Sequence, residues 1–314
     1  MADLRQLRIS REIFLAGLGM EIESLDPWVI DRMTRMLDEQ DFRVGEALFS
    51  RGEAPDSLYF IHDGEVRLSK PGSAPWTFKG RWLIGTYDAF SEQGHTRDAI
   101  AMTDFPAMKL PRTAWIDLLE DSAQIARGAV INSARAVARL EDLLPVLAAA
   151  PLPIAEAQRP APPSPLSLVD RLAALVDVRM LRGAGVQALV DLAASSEEVA
   201  FDRGDVLHAR GVAREQMILL VEGEVVSTRI DPAAERRTLP GEIIGGASAF
   251  GTQALPWEAR ATTRARGIAF AIEAWFDLME EHFDLVRSTL GALLARRELL
   301  LDRLAEASGG IVLT

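Results

Sequence analysis

The feature that most constrains this chain is a stretch it carries twice. Phe42 to Leu68 reads FRVGEALFSRGEAPDSLYFIHDGEVRL, and Phe201 to Ser227 reads FDRGDVLHARGVAREQMILLVEGEVVS. The two align without a gap at an offset of 159 residues, and nine of the 27 positions are identical. The match resumes at offset 160, where Ala114-Trp115-Ile116-Asp117-Leu118-Leu119 meets Ala274-Trp275-Phe276-Asp277-Leu278-Met279. There are two copies, each far longer than a solenoid unit, so the chain is a duplicated domain. A length of 314 residues accommodates both copies at the usual size of about 100–200 residues per domain.

The repeat predicts short strands punctuated by turns. Gly45 and Gly204 stand before acidic residues as turn glycines do, and Gly52 and Gly211 mark a second turn. Leu58 to Ile61 and Met217 to Val221 are apolar runs of strand length, closed by Asp63-Gly64 and Glu222-Gly223. Trp76, Phe78, Trp82 and Ile84 fall at even spacing, as in one strand with a buried face. Such short strands suggest an antiparallel sandwich or barrel.

The segment Gly45-Glu46-Ala47-Leu48-Phe49-Ser50-Arg51-Gly52 and its copy Gly204-Asp205-Val206-Leu207-His208-Ala209-Arg210-Gly211 resemble the signature of cyclic nucleotide-binding domains, found in catabolite activator proteins and kinase regulatory subunits. The second copy departs from it at His208. The resemblance covers roughly 20–147 and 168–304. It implies a mainly β chain with α: two tandem β-roll (jelly roll) domains with flanking helices.

The family holds a cyclic phosphate on backbone amides and an arginine, and a ribose hydroxyl on a glutamate, in a cassette resembling Phe-Gly-Glu-[Leu/Ile]-Ala-Leu followed by Pro-Arg-[Ser/Ala]-Ala. The first copy offers Gly85, Thr86, Tyr87, His95, Thr96 and Arg97. Thr86 replaces the glutamate. Arg97 either turns inward to grip a phosphate with its planar fork or stands in solvent. The second copy offers Gly245, Gly246, Trp257 and Arg260. Gly246 has no side chain to reach a ribose, Trp257 follows Pro256 where the arginine belongs, and Glu258 would repel a phosphate. Both departures argue against the family's usual mode of cAMP or cGMP binding. The open question is whether the cavities are lined by Arg97 or filled by Tyr87 and Trp257.

The remaining sequence sets the organisation. The domains read as 13–149 and 168–306, joined by a linker at 150–167 in which prolines are dense. Asp26-Pro27 is a good helix start. Phe283, Val286, Leu290, Leu293, Leu300 and Leu304 form a near-heptad stripe on the last helix, which either packs on its own barrel or pairs with a second copy as a homodimer. Gly309-Gly310 is read as the end of the ordered chain.

Composition excludes several classes. A net charge of −12 disfavours nucleic acid and anionic membrane as partners. The absence of cysteine removes disulfide, thiolate and cysteine–metal chemistry. No run suggests a membrane span or a leader, so a cytoplasmic location is expected. The four histidines show no metal-ligand spacing, and no catalytic constellation appears, so neither an enzyme nor a resident cofactor is expected. Too few residues follow Leu304 for a helix-turn-helix. Two functions remain: a scaffold or adaptor acting through protein–protein contacts, which is favoured, and a regulatory subunit responding to a cyclic nucleotide or other small anion through the first domain.

Overall fold

The computed structural model describes residue 32 and residues 35–91, 93–143, 163–231, 233–254 and 256–314. The helix start at Asp26-Pro27 and the linker up to residue 162 lie outside the described residues. The chain packs as two units: one contains the described residues up to Asn132 together with Leu301–Thr314, the other Ser133–Leu300.

In the first unit the strands are β1 (Asp38–Phe42), β2 (Ala47–Phe49), β3 (Ser57–Ile61), β4 (Glu65–Ser69), β5 (Trp76–Lys79), β6 (Trp82–Ile84), β7 (Asp98–Ala101) and β8 (Phe105–Pro111). Helices α1 (Arg112–Asp121) and α2 (Ala123–Leu143) follow, and α2 passes into the second unit at Ser133. One sheet runs β1-β8-β3-β6 and the other places β5-β4-β7-β2 in order. The apolar run of β3 is buried along its whole length, whereas β4 alternates, with Val66 and Leu68 in the core and Arg67 outside.

The second unit holds α3 (Leu168–Val176), α4 (Val186–Ser195), β9 (Glu197–Phe201), β10 (Val206–His208), β11 (Gln216–Glu222), β12 (Val225–Arg229), β13 (Ala234–Thr238), β14 (Ile243–Ile244), α5 (Gly246–Phe250), β15 (Trp257–Ala261), β16 (Ala265–Ala271), α6 (Ile272–Glu281) and most of α7 (Phe283–Ser308). Ser167 and Asp170 start α3 with a reciprocal capping box. Its sheets run β9-β16-β11-β14 and β13-β12-β15-β10, strand for strand the order of the first unit. Two tandem β-roll domains with flanking helices are therefore what the duplication builds.

Two expectations change. Trp76 and Ile84 do not share one strand, because Gly80 turns the chain at φ +91° between β5 and β6. Gly309-Gly310 does not end the order: both have positive φ, and Ile311–Leu313 forms β17, paired in parallel with β5 at the edge of the first unit's second sheet. Of the two readings of the α7 stripe, packing within the chain accounts for four of its six residues, with Phe283 and Leu304 half-buried. Val286, Leu290, Leu293 and Leu300 are all buried within the chain, so none stands open to a second copy.

Candidate functional site

Each unit positions its cassette by the same backbone device. Gly85 and Gly245 follow β6 and β14 at φ +98° and +104°, values that suit glycine. A Cβ on Gly85 would lie 3.1 Å from the Ser57 carbonyl oxygen, and one on Gly245 3.3 Å from that of Gln216. Each loop therefore leaves its strand close against the start of β3 or β11.

In the first unit the cassette folds back on itself. The His95 ring stacks on Phe49 with centroids 3.7 Å apart, and its Nδ1 lies 2.9 Å from the Asp88 carboxylate. Gly52 donates to the His95 carbonyl, and the His95 amide donates to Glu53, each at 2.8 Å. His95 is thus buried as a brace of the loop. Thr96 is exposed and Thr86 half-buried.

Arg97 turns inward and is only 2% exposed. Its guanidinium carbon stands 3.7 Å from the centre of the Trp76 ring, a cation–π geometry. Tyr87 packs on the same indole, its ring meeting Trp76 edge-on at 5.5 Å. The guanidinium also donates to the carboxylate of Asp302, on the last turns of α7 within the same unit. Lys70, just past β4, donates to the other oxygen of that carboxylate at 2.8 Å. The arginine that the sequence put forward is therefore inside the fold, and its counterion comes from the chain itself.

The second unit uses the same positions with exchanged residues. In the β4–β5 ladder Leu68 faces Trp76, and in the β12–β13 ladder the corresponding Ser227 faces Arg236. Leu68 also faces Ala99, and Ser227 faces Ala259. Two residues before those alanines stand Arg97 and Trp257. The aromatic–arginine pair Trp76 and Arg97 thus has Arg236 and Trp257 as its counterparts. The acidic partner recurs as well: Asp142 on α2, at the place of Asp302, accepts from Arg229, at the place of Lys70. Arg236 lies 3.9 Å from Glu141, which Arg296 also holds at 2.7 Å.

Trp257 is buried, and Gly246 opens the short helix α5. Arg260 is not brought to the cassette. It is exposed, donating to the Gly204 carbonyl at 2.5 Å and to Glu258 at 2.8 Å. His208 takes the place of Phe49, and its Nε2 would be 3.6 Å from a Cβ on Gly245. Burial, and then the charge of Arg214, push its pKa down to about 4. Arg214 itself donates to Ser248 at 2.9 Å. Desolvation draws the Arg214 guanidinium down to about 10, with Glu141 opposing the shift.

Sequence reading missed Trp76, Lys70 and Asp302. The pairs Lys70/Arg229 and Asp142/Asp302 keep their charge across the two copies at offsets of 159 and 160, and that signal could have found them. No group of three or more His, Cys, Asp or Glu side chains among the described residues is arranged to hold a metal ion. Among them no helix is long and apolar enough to cross a membrane.

The family model for the cyclic nucleotide-binding domain matches residues 39–122. The CRP-like cAMP-activated global transcriptional regulator of Mycobacterium tuberculosis is 31% identical over 144 residues, covering 41% of this chain and 62% of that protein. The chain thus spans under two thirds of that relative's length. Among solved structures, the cAMP-bound regulatory domain of Toxoplasma gondii PKA is 15% identical, with 93% of this chain and 97% of that one covered and a TM-score of 0.35. A regulatory subunit of a cAMP-independent protein kinase A from Trypanosoma brucei is 16% identical, covering 94% and 92%, with a TM-score of 0.36. That family match lies within the first unit, and the second unit repeats the eight-stranded order of the first.

Proposed function

We propose that the chain is a non-catalytic regulatory scaffold whose two cyclic nucleotide-binding-type domains are closed by their own residues and act on a protein partner. The observation that carries this reading is the buried pairing of Arg97 with Asp302. A diffusible phosphate would have to displace a tethered carboxylate, and a tethered competitor acts at high effective concentration. The ribose side of the cassette is also unfavourable, because Thr86 and Gly246 supply no carboxylate acceptor. Leaving a buried hydroxyl unmatched costs about 1–3 kcal/mol, or roughly one to two decades of affinity.

Titration calorimetry of the intact chain with cAMP and with cGMP is expected to give no saturable heat in the micromolar range. Saturable binding near one micromolar would overturn the scaffold reading in favour of a ligand-responsive regulator. That second reading is supported by the retention of Arg97 on an aromatic face in the first domain. Arg97→Ala should then abolish binding, and Arg260→Ala, on the outer surface, should leave it unchanged.

A further inference from the structure

We propose that Asp302 is a tethered ligand of the first domain: its carboxylate occupies the place of a diffusible anion at Arg97 and Lys70, so that this domain responds to release of the end of α7. The inference deepens the scaffold reading and rests on it.

Four observations combine. The carboxylate of Asp302 is shared between two cations, Arg97 just before β7 and Lys70 just past β4, at neighbouring strands of one sheet. Arg97 is 2% exposed and lies against Trp76, so its charge is held away from water and is weakly screened by salt. Such a buried guanidinium needs an anion, because removing the partner of a buried charge is strongly unfavourable. Asp302 is itself held in place from its C-terminal side. The Gly310 amide donates to Ala305 at 2.9 Å, the Ile311 amide donates to Pro75, and β17 then pairs with β5, the strand that carries Trp76. The carboxylate thus arrives on a segment clamped to the same sheet as the cations.

The second unit supplies an internal control. Asp142 pairs with Arg229 there, but Trp257 stands at the counterpart of Arg97, so the carboxylate lacks that second cation. If tethering is the function of Asp302, its removal should expose an anion site that removal of Asp142 does not.

The probe is inorganic phosphate against chloride at matched ionic strength, read by thermal unfolding of the intact chain. Phosphate is expected to raise the melting temperature of Asp302→Ala and not that of wild type or Asp142→Ala. Adding Arg97→Gln to Asp302→Ala should abolish the response. Apparent phosphate affinity should differ by roughly tenfold or more between Asp302→Ala and wild type, since the vacated contacts are charge-assisted. An equal phosphate response in wild type and Asp302→Ala, or none in either, overturns the proposal.

If Asp302→Ala does not accumulate folded, refolding yield in phosphate against chloride reads the same competition. Recovery in phosphate alone supports the tethered ligand, and equal failure in both overturns it. Saturable cAMP binding by wild type would instead strike the scaffold reading. The two failures are therefore distinguishable.

Discussion

Trp76→Ala is expected to lower the unfolding free energy of the first domain by about 4 kcal/mol, in the range for deleting a fully buried aromatic side chain. Trp76 is 0% exposed and meets Phe78 edge-on at 6.5 Å and Tyr87 at 5.5 Å. It also carries the Arg97 guanidinium on its face. Truncation would leave a cavity beside a buried cation, so the packing loss and the loss of cation–π stabilisation act together. Urea denaturation measures the effect. Val44→Ala, at a side chain 64% exposed, should change stability by less than about 0.5 kcal/mol. A loss below about 1 kcal/mol for Trp76→Ala would show that the aromatic platform is not part of the core.

The second large effect is on pH. His208 is buried in β10 beside Arg214, and its pKa falls to about 4 in the folded chain against 6.5 ordinarily. Above the ordinary value both folded and unfolded chains keep the ring neutral, and the folded state loses nothing. As pH falls from about 6.5 to 4, the unfolded chain takes up a proton that the folded chain refuses, so stability drops. Below about 4 the folded ring also protonates and the loss levels off. The full span is worth about 3 kcal/mol. His208→Phe, which restores the residue type of the equivalent Phe49, should remove this part of the slope. The measurement is urea stability of both proteins from pH 7 to pH 4, and the difference between the curves isolates His208 from acid-sensitive carboxylates such as Glu198. Parallel curves would refute the assignment.

The core of the fold was legible because its signals are local. Gly45, Gly85 and their counterparts Gly204 and Gly245 fix turns through their own backbone angles, and the apolar run of β3 needs no distant information. The candidate site was legible only in part. Arg97 stood out as a residue type, but its direction depends on a carboxylate 205 residues away, and nothing near Arg97 encodes that distance. Gly80 was overlooked because the alternation of Trp76, Phe78, Trp82 and Ile84 continues across it. The strand at Ile311–Leu313 is too short for any period, and it is a strand because β5 offers it an edge. The burial of Leu290 and Leu293 follows from tertiary packing, which a heptad pattern cannot distinguish from a dimer seam.

The membership of Leu301–Thr314 in the first unit also bears on the order of biosynthesis. On the ribosome, β1 to β8 emerge long before Asp302 and β17, with the whole second unit translated in between. Until residues 301–314 have left the ribosome, β17 is not there to pair with β5 and Asp302 is not there to meet Arg97. The second unit, one continuous stretch from Ser133 to Leu300, meets no such delay. The first unit is therefore completed only after the second has been made, and a stop after residue 300 would damage the first unit rather than the second.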